Sequence, residues 1–389
     1  MTIEASGPAP DSRRRIRLGM VGGGEGAFIG AVHRIAARLD DHYELVAGAL
    51  SSTPDKAMRS AAAIGLARSY ADYATMAREE AARPDGIEVV AIVTPNDQHA
   101  PAAEAFLSAG IHVICDKPLT TTLADAQRMR ALAKASGKLF AVTYNYSGYP
   151  MIRHARQLVR EGALGEIRLV QVEYPQDWLT ELLEASGQKQ AAWRTDPARA
   201  GAGGCVGDIG THAYQLASFV TGLQPTQLCA ELSTLVPGRA LDDNVQMMLR
   251  YANGARGMLW ASQVAPGNEN ALRLRVYGSK AGLEWHQEQP NQLRFSPFGD
   301  APRTVSRGTA SAGSAAARVT RLPSGHPEGY LEGFATVYAE IAQAIHAASE
   351  GRPLPAEVDF PTIEDGVHGV AFIEAAVRSS AAGAAWVEL

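Results

Sequence analysis

Three residues in this 389-residue chain have the types and spacing that proton transfer from a hydroxyl group requires. Lys117 follows an apolar run that ends in Cys115-Asp116, and Asp208 and His212 lie four residues apart after a glycine-rich stretch. A fixed ammonium group stabilises alkoxide character on a hydroxyl, and an imidazole beside a carboxylate can accept its proton. Lys117, Asp208 and His212 are therefore the candidate catalytic residues.

Each of these residues also has an ordinary structural interpretation. A lysine after a buried strand is as readily a surface charge. If a helix starts at Asp208, its side chain and that of His212 share one face, as a proton relay needs; alternatively, Asp208 caps the helix and His212 is a core histidine. The same spacing suits metal ligation, but the sequence shows no obvious third ligand, so no metal site is predicted.

A glycine cluster follows the first apolar run. Gly22, Gly23 and Gly24 would let backbone N–H groups approach a pyrophosphate at a helix N-terminus. The segment Gly22-x-Gly24-x-x-Ala27 nearly fits the dinucleotide fingerprint, but the helix is expected to begin only near Gly30, so the turn is about three residues longer than usual. The alternative is an ordinary strand-to-helix turn.

The end of the second apolar run bears on the choice between NAD and NADP. An NAD site usually has an Asp or Glu there for the ribose hydroxyls, whereas this chain has Ser51, Ser52 and Thr53. These small hydroxyl residues leave room for a 2′-phosphate. Lys56 could add a charge, although a lysine on a helix is often only solvated. The sequence allows either cofactor and slightly favours NADP.

Two further strand ends carry polar residues, and ligands of open α/β sheets bind beyond the carboxyl ends of the strands. These ends are Thr94-Pro95-Asn96-x-x-His99 and Asp116-Lys117. The predicted cofactor-binding residues are thus Gly22, Gly23, Gly24, Ser51, Ser52, Lys56, Thr94, Pro95, Asn96, His99, Asp116 and Lys117.

The elements that would position these residues follow two patterns. Up to about residue 146, short β-type runs alternate with helical periods, which is typical of α/β proteins with a doubly wound parallel sheet, the Rossmann type. The runs are 17–21, 45–50, 88–94, 111–116 and 139–144, with helices near 30–39, 54–64, 101–109 and 123–135.

After Pro150 the pattern is that of an α+β domain. It predicts a helix over 151–160, a helix from about 208, and strands at 166–174, 226–234, 244–251, 257–264 and 272–277, spaced as in an antiparallel meander. Residues 307–319 are expected to form a mobile loop, followed by helices over 329–348 and 362–380. The predicted domains are an N-terminal arm (1–15), a NAD(P)-binding domain (16–148) and a substrate-binding domain (149–389) whose C-terminal helix could pack back on the first.

Composition excludes several classes of function. The chain is 46% hydrophobic with a net charge of −5, which is globular and lacks the basic excess that nucleic acid would attract. Cys115, Cys205 and Cys229 are far apart, which argues against a disulfide framework or structural zinc. No segment approaches the roughly 20 apolar residues of a membrane span, and the early arginine run lacks the cleavage site of an export signal. We expect a cytoplasmic protein without nucleic-acid or membrane partners.

Together the motifs resemble the Gfo/Idh/MocA oxidoreductases, which include glucose-fructose oxidoreductase, inositol dehydrogenases and other sugar dehydrogenases. The resemblance spans nearly the whole chain. It rests on the glycine turn with His33 downstream, Thr94-Pro95-Asn96-x-x-His99, Asp116-Lys117-Pro118, Trp193-Arg194, and the stretch from Gly203-Gly204 to His212.

The resemblance implies specific roles. In the family, the lysine of a Glu-Lys-Pro motif and the Asp and His of an Asp-x-x-x-His motif flank the substrate hydroxyl. Carried over, His212 accepts the proton, Lys117 polarises the hydroxyl, and Asp208 hydrogen-bonds to the substrate or the histidine. The Lys117–Pro118 peptide can be cis. Asp116 replaces the family's usual Glu, which keeps the charge and shortens the reach.

The resemblance also implies an NAD(P)-dependent dehydrogenase that moves a hydride between nicotinamide and a secondary hydroxyl or ketone of a sugar, glycoside or inositol held between the domains. The family's second domain is a large, mostly antiparallel open sheet, and its outer face implies a homodimer or homotetramer. His326, expected to open a helix, is a candidate contact to substrate or to a neighbouring subunit. Other substrate-binding candidates, each of which could instead be core or interface, are Tyr144, Tyr146, Trp178, Trp193 and Arg194.

Two other functions stay open. Some relatives use tightly held NAD to oxidise a glycoside transiently, eliminate the aglycone and reduce the ring again, and others sense nucleotide without catalysis. The presence of Lys117, Asp208 and His212 together favours an enzyme, because a sensor needs no proton relay.

Overall fold

The computed structural model describes residues 14–389, in which two compact units can be distinguished. The first unit comprises residues 14–148 and 330–367, and the second comprises 149–329 and 368–389. Of the predicted N-terminal arm, residues 1–13 lie outside the described part, while Arg14 and Arg15 form ion pairs with Glu88 and Asp41. The segment 330–367, assigned from the sequence to the second domain, groups with the first unit, and the division of functions between domains stays a prediction.

The first unit contains a parallel sheet. Among the described residues it has six strands in the order β3-β2-β1-β4-β5-β6, which is the doubly wound order with its switch point between β1 and β4. The strands are β1 (Ile16–Gly22), β2 (Tyr43–Ala49), β3 (Arg68–Ser69), β4 (Val89–Val93), β5 (His112–Cys115) and β6 (Phe140–Val142). The Val-Val-Ala-Ile-Val sequence of β4 is buried throughout, as expected for a strand covered on both faces.

Helices connect these strands, and the last of the five is capped at both ends. The helices are α1 (Phe28–Leu39), α2 (Pro54–Ala63), α3 (Tyr73–Ala81), α4 (His99–Ser108) and α5 (Leu123–Ser136). Thr122 caps α5 by accepting a hydrogen bond from the Asp125 N–H, and Gly137 ends it in the left-handed region. The first helix begins at Phe28, two residues before the predicted start, and the two-residue strand β3 was not predicted.

The second unit contains a mostly antiparallel sheet. Among the described residues it has nine strands in the order β14-β13-β12-β11-β7-β10-β9-β8-β15, and β7 and β10 are parallel. The strands are β7 (Ile167–Pro175), β8 (Pro225–Ser233), β9 (Asn244–Tyr251), β10 (Arg256–Ser262), β11 (Arg273–Gly278), β12 (Ala281–His286), β13 (Gln292–Pro297), β14 (Arg303–Ser306) and β15 (Val387–Glu388). Strands β12 to β15 were not predicted, although β12 alternates buried and partly exposed residues as a sheet strand should.

The helices of the second unit include a π-helical turn. They are α6 (Pro150–Arg160), α7 (Lys189–Arg194), α8 (Pro197–Ala200), the π turn Val206–Gly210, α9 (Thr211–Thr221) and α10 (Gly313–Val319). The prediction of a mobile loop over 307–319 is wrong for its second half, because the alanine-rich segment forms α10, where Ala316 and Val319 are buried.

Two long helices follow in the C-terminal part of the chain, α11 (Tyr330–Ser349) and α12 (Ile363–Ala381). The prediction that His326 opens a helix is also wrong, since α11 begins four residues later. In the described part of the chain, no helix combines the length and apolar character that crossing a membrane would need.

Candidate active site

The glycine turn of the first unit is shaped by direct contact between backbones. Gly23 has a left-handed φ of +70°, and a Cβ on Gly30 would lie 2.3 Å from the Gly23 carbonyl oxygen. Helix α1 can therefore cross the turn only with glycine at position 30. The close-packing position of the dinucleotide fingerprint is thus filled by Gly30, three residues beyond Ala27, although α1 itself begins at Phe28.

Side chains from neighbouring helices hold this turn in place. Arg34 donates to the Gly23 carbonyl oxygen over 2.9 Å, and the Glu25 N–H donates to Ser60 Oγ over 3.1 Å. The Gly24 N–H donates to the Leu50 carbonyl oxygen. Sequence reasoning missed both side chains. Arg34 follows His33 on α1 and Ser60 lies within α2, and neither position is part of a recognisable motif.

The turn has features that fit a dinucleotide. No side chain caps the N-terminus of α1 among the described residues, so its first N–H groups can receive a pyrophosphate. The buried Oγ1 of Thr94 has no hydrogen-bond partner in the described residues, and a Cβ on Gly22 would lie 2.9 Å from Thr94 Cγ2. A polar atom without a partner beside a side-chain-free turn suits a bound nucleotide.

The end of β2 presents hydroxyl groups. Ser51 Oγ accepts from the Thr53 N–H over 3.1 Å, and Ser52 is exposed. Lys56 is partly buried in the first turn of α2, where Asp55 is exposed beside it. The preference for NADP stays a prediction, because this edge holds both an ammonium and a carboxylate group.

His99 connects two strand ends. Its Nδ1 lies 2.9 Å from the Pro118 carbonyl oxygen and its Nε2 lies 2.9 Å from the Thr94 carbonyl oxygen. Asn96 is buried in a short 3₁₀ turn that leads from Pro95 into α4. His99 therefore ties the Thr94 segment to the Lys117–Pro118 peptide, which is cis.

Asp116 supports Lys117 from within the first unit. Its Oδ1 accepts from Thr143 Oγ1 over 2.7 Å and from the Lys117 N–H over 3.0 Å. Tyr144 and Tyr146, predicted to face a sugar, are buried. Thr143 was missed, although it stands directly after β6, where a neighbour of Asp116 is expected in a parallel sheet.

His33 is a buried neutral side chain of α1. Its Nδ1 lies 2.8 Å from the Tyr338 hydroxyl of α11. Burial lowers the pKa of His33 to about 4, although the charge of Asp116 acts in the opposite direction. The side chain therefore packs with a hydrogen bond and without a charge at neutral pH.

In the second unit, Asp208 lies within the π turn and not at a helix start. Helical backbone geometry is already present at Cys205, so the interpretation of Asp208 as an N-cap is wrong. Asp208 Oδ2 accepts from Gln263 Nε2 over 2.9 Å, and Oδ1 lies 3.4 Å from Arg194 Nε. His212, in the first turn of α9, is buried edge-on to Tyr174, with ring centroids 6.4 Å apart.

A buried carboxylate fixes the chain that enters the π turn. Asp242 accepts hydrogen bonds from the Gly204 N–H (2.6 Å) and the Val206 N–H (2.8 Å), while its own carbonyl oxygen accepts from the Cys205 N–H (2.8 Å). Burial raises the pKa of Asp242 to about 6. Sequence reasoning missed this residue, although two adjacent aspartates directly before an apolar strand are an unusual pattern.

The remaining predicted substrate residues of the second unit differ in exposure. The Arg194 guanidinium carbon lies 4.3 Å from the Trp193 ring centroid, and Trp178 is partly exposed. His326 is exposed on a loop closed by a buried ion pair, in which Arg307 lies 2.9 Å from Glu328 and donates to the Leu322 carbonyl oxygen. The structure thus presents His326 on an anchored loop.

The cysteines have no catalytic environment. Cys115, Cys205 and Cys229 are free and buried, and burial raises the pKa values of Cys115 and Cys205. Within residues 14–389, no group of three or more His, Cys, Asp or Glu side chains is arranged to hold a metal ion.

Comparison with known proteins identifies related sequences over both units. The model of an oxidoreductase family with an NAD-binding Rossmann fold matches residues 16–144, and the model of the GFO/IDH/MocA C-terminal domain matches residues 152–284. A solved oxidoreductase from Sinorhizobium meliloti is 55% identical, with a TM-score of 0.89 over 97% of this chain and 100% of that chain.

Two further relatives have a known ligand or activity. An inositol dehydrogenase homolog from Azotobacter vinelandii, solved with NADH and myo-inositol, is 36% identical, with a TM-score of 0.91 over 97% of this chain and 98% of that chain. Levoglucosan dehydrogenase from Pseudarthrobacter phenanthrenivorans is 29% identical over 97% of this chain and 98% of its own length.

Proposed function

Because the chain belongs to the GFO/IDH/MocA family of NAD-binding oxidoreductases, we propose that it moves a hydride between nicotinamide and a secondary hydroxyl or ketone of a sugar, glycoside or inositol. The observation that carries the proposal is the paired support of Asp208 by Gln263 and Arg194, in the same helical run as His212. A carboxylate held by two donors suits proton chemistry on a hydroxyl. The inositol dehydrogenase homolog and levoglucosan dehydrogenase support a polyol substrate.

The proposed roles follow from the properties of each side chain. Lys117 donates to the reacting hydroxyl and stabilises its developing negative charge, and His212 accepts its proton. Asp208 hydrogen-bonds to the substrate or to His212. Bound nicotinamide supplies the hydride acceptor, and the glycine turn and the end of β2 hold the nucleotide.

A reduction assay tests this function. Purified protein is mixed with NAD⁺ or NADP⁺ and a panel of inositols, aldoses and glycosides, and absorbance of the reduced nicotinamide is followed. A substrate-dependent rise is expected. No rise with any polyol, with cofactor retained after purification, would instead support redox-neutral glycoside cleavage or a nucleotide sensor.

Substitution of the catalytic residues sharpens that test. Lys117→Ala and His212→Ala are each expected to lower kcat by at least about a hundredfold, because each removes a group that acts on the transferred proton. Cofactor affinity, measured by nicotinamide fluorescence, should change little. Near-normal turnover in both variants would contradict the assignment.

The cofactor preference is tested at the end of β2. Lys56→Ala should raise the KM for NADP⁺ more than the KM for NAD⁺, because only NADP⁺ has a phosphate for the ammonium group to contact. An equal effect on both cofactors would remove the argument for NADP.

We also propose a homodimer or homotetramer formed through the outer face of the second unit's sheet. Met258 lies opposite Met248 on the adjacent strand, and Leu169 shares that face. All three side chains are about half exposed, which is unusual for neighbouring apolar residues. Sedimentation of the wild type and of Met258→Lys tests the proposal, which predicts smaller particles for the variant.

A further inference from the structure

Gln263 is a buried glutamine fixed at three points. It directly follows β10, and its N–H donates to the Asp243 carbonyl oxygen over 2.8 Å. Its carbonyl oxygen accepts from the Leu179 N–H over 3.0 Å. Because both backbone groups are bonded, the direction of the side chain is set by the sheet and its neighbouring loops.

The third point is the carboxylate of Asp208, whose Oδ2 lies 2.9 Å from Gln263 Nε2. An amide nitrogen can only donate, so this contact matches an ionised carboxylate. Arg194 approaches the other oxygen at 3.4 Å from a more exposed position. The contact with Gln263 is therefore the shorter of the two, and Gln263 is the more deeply buried partner.

Asp208 lies in a short π-helical segment. Residues 206–210 follow π-helical geometry before the α-helical residues of α9 begin at Thr211. Residues four apart stay close to one face in either geometry, so Asp208 and His212 still share a face. The backbone thus sets the face on which the carboxylate lies, and its contacts with Gln263 and Arg194 set its orientation.

We propose that Gln263 is a positioning residue, which acts through Asp208 by holding its carboxylate ionised and in one orientation. This inference rests on the function proposed above. Other ionisable groups surround the pair: Arg194 on α7, Cys205 at the start of the π turn, Asp242 and Asp243 before β9, and His212 on α9.

The first test replaces the amide without changing the length of the side chain. Gln263→Met should lower kcat about tenfold to a hundredfold, as loss of a hydrogen bond to a charged group predicts, with the dissociation constant of the cofactor unchanged. Gln127→Met on α5 is the matched control, since the side chain of Gln127 is exposed, and it should keep wild-type turnover. Circular dichroism checks that both variants are folded.

A double-substitution cycle tests whether the effect passes through Asp208. In an Asp208→Asn background, Gln263→Met should cause less than about a threefold further loss, because the charged acceptor is already absent. An equal loss in both backgrounds would show a general structural role and overturn the inference.

Gln263→Glu offers a rescue that does not depend on the methionine variant folding. A protonated glutamic acid can donate to Asp208, whereas an ionised one repels it. The activity of this variant relative to wild type should therefore rise as the pH is lowered, and a constant ratio would overturn the proposal. If the wild type oxidises no polyol, both proposals fail; if it does and Gln263→Met matches it, only the role of Gln263 fails.

Discussion

The glycine turn at 22–27 and the segment 204–212 obtain a fixed backbone by opposite means. In the turn, missing side chains allow Gly23 and Gly30 to touch. Arg34 donates a hydrogen bond to the turn, and the Ser60 hydroxyl accepts one from it. In the other segment, the buried carboxylate of Asp242 accepts hydrogen bonds from two backbone N–H groups. The first region should therefore fail through steric change and the second through loss of charge or acceptors.

The largest effect is expected from Asp242→Ala. It leaves the buried N–H groups of Gly204 and Val206 without acceptors, so the free energy of unfolding should fall by about 2–5 kcal/mol. Denaturant unfolding measures this change, and Asp300→Ala, at an exposed position, is the control. A loss no greater than the control's would remove the contrast between the two regions.

The pH dependence of stability should differ in sign between His33, on the helix that follows the glycine turn, and Asp242, which holds the segment 204–212. The unfolded chain binds a proton at His33 below about pH 6.5, whereas the folded pKa is about 4, so stability from this residue is complete above pH 6.5 and is lost as pH falls towards 4. The loss is at most about 3.5 kcal/mol. The folded pKa of Asp242 is raised from 3.8 to about 6, so the stability that this residue contributes is complete below pH 3.8 and is lost as pH rises towards 6.

Unfolding of His33→Gln and Asp242→Asn across pH 4 to 7 measures these two slopes against wild type. The first variant should be less sensitive to acid than wild type, and the second should lose the component that favours low pH. Parallel curves for all three proteins would contradict both assignments.

Gly30→Ala should have the next largest effect. The new methyl group would meet the backbone of Gly23, and overpacking of this kind costs about 1–3 kcal/mol. Cofactor affinity should fall about tenfold or more, because α1 moves away from the turn. Gly26→Ala is the matched substitution. The φ of Gly26 is +75°, but a Cβ added there would meet no neighbouring atom within 4 Å, so the free energy of unfolding should fall by only about 1 kcal/mol. Equal losses would show that contact between backbones is not the cause.

Ser60→Ala should have the smallest effect. It removes the acceptor of the Glu25 N–H, at a cost of about 1 kcal/mol, and cofactor affinity should fall only a few-fold. Titration calorimetry with NAD⁺ measures the change. A loss as large as that of Gly30→Ala would mean that side chains, and not glycines, shape the turn.

Much of the first unit could be predicted from the sequence, because parallel strands are long apolar runs with glycines and polar residues at their ends. The sheet, the glycine cluster and the Asp116–Lys117 segment follow from this pattern. The short strand β3 did not, since Arg68–Ser69 has neither length nor apolar character. The role of Gly30 also depends on the crossing of α1, which no local pattern specifies.

The candidate site of the second unit was less accessible to sequence reasoning. Asp208 and His212 could be identified from their spacing, but the π turn between them could not, because the spacing was interpreted as α-helical. Asp242 and Gln263 lie 34 and 55 residues away from Asp208 in sequence, just before strand β9 and just after strand β10. Only tertiary structure brings such partners together.

The burial of Cys115, Cys205 and Cys229 has a practical consequence. Thiol reagents attack exposed thiolates, whereas all three side chains are buried, and burial also raises the pKa values of Cys115 and Cys205. A single cysteine introduced on the surface, for example at the exposed Phe298, would therefore be the preferred point of attachment for a fluorophore or spin label. Such a labelled variant can thus report conformational changes without prior removal of the native cysteines.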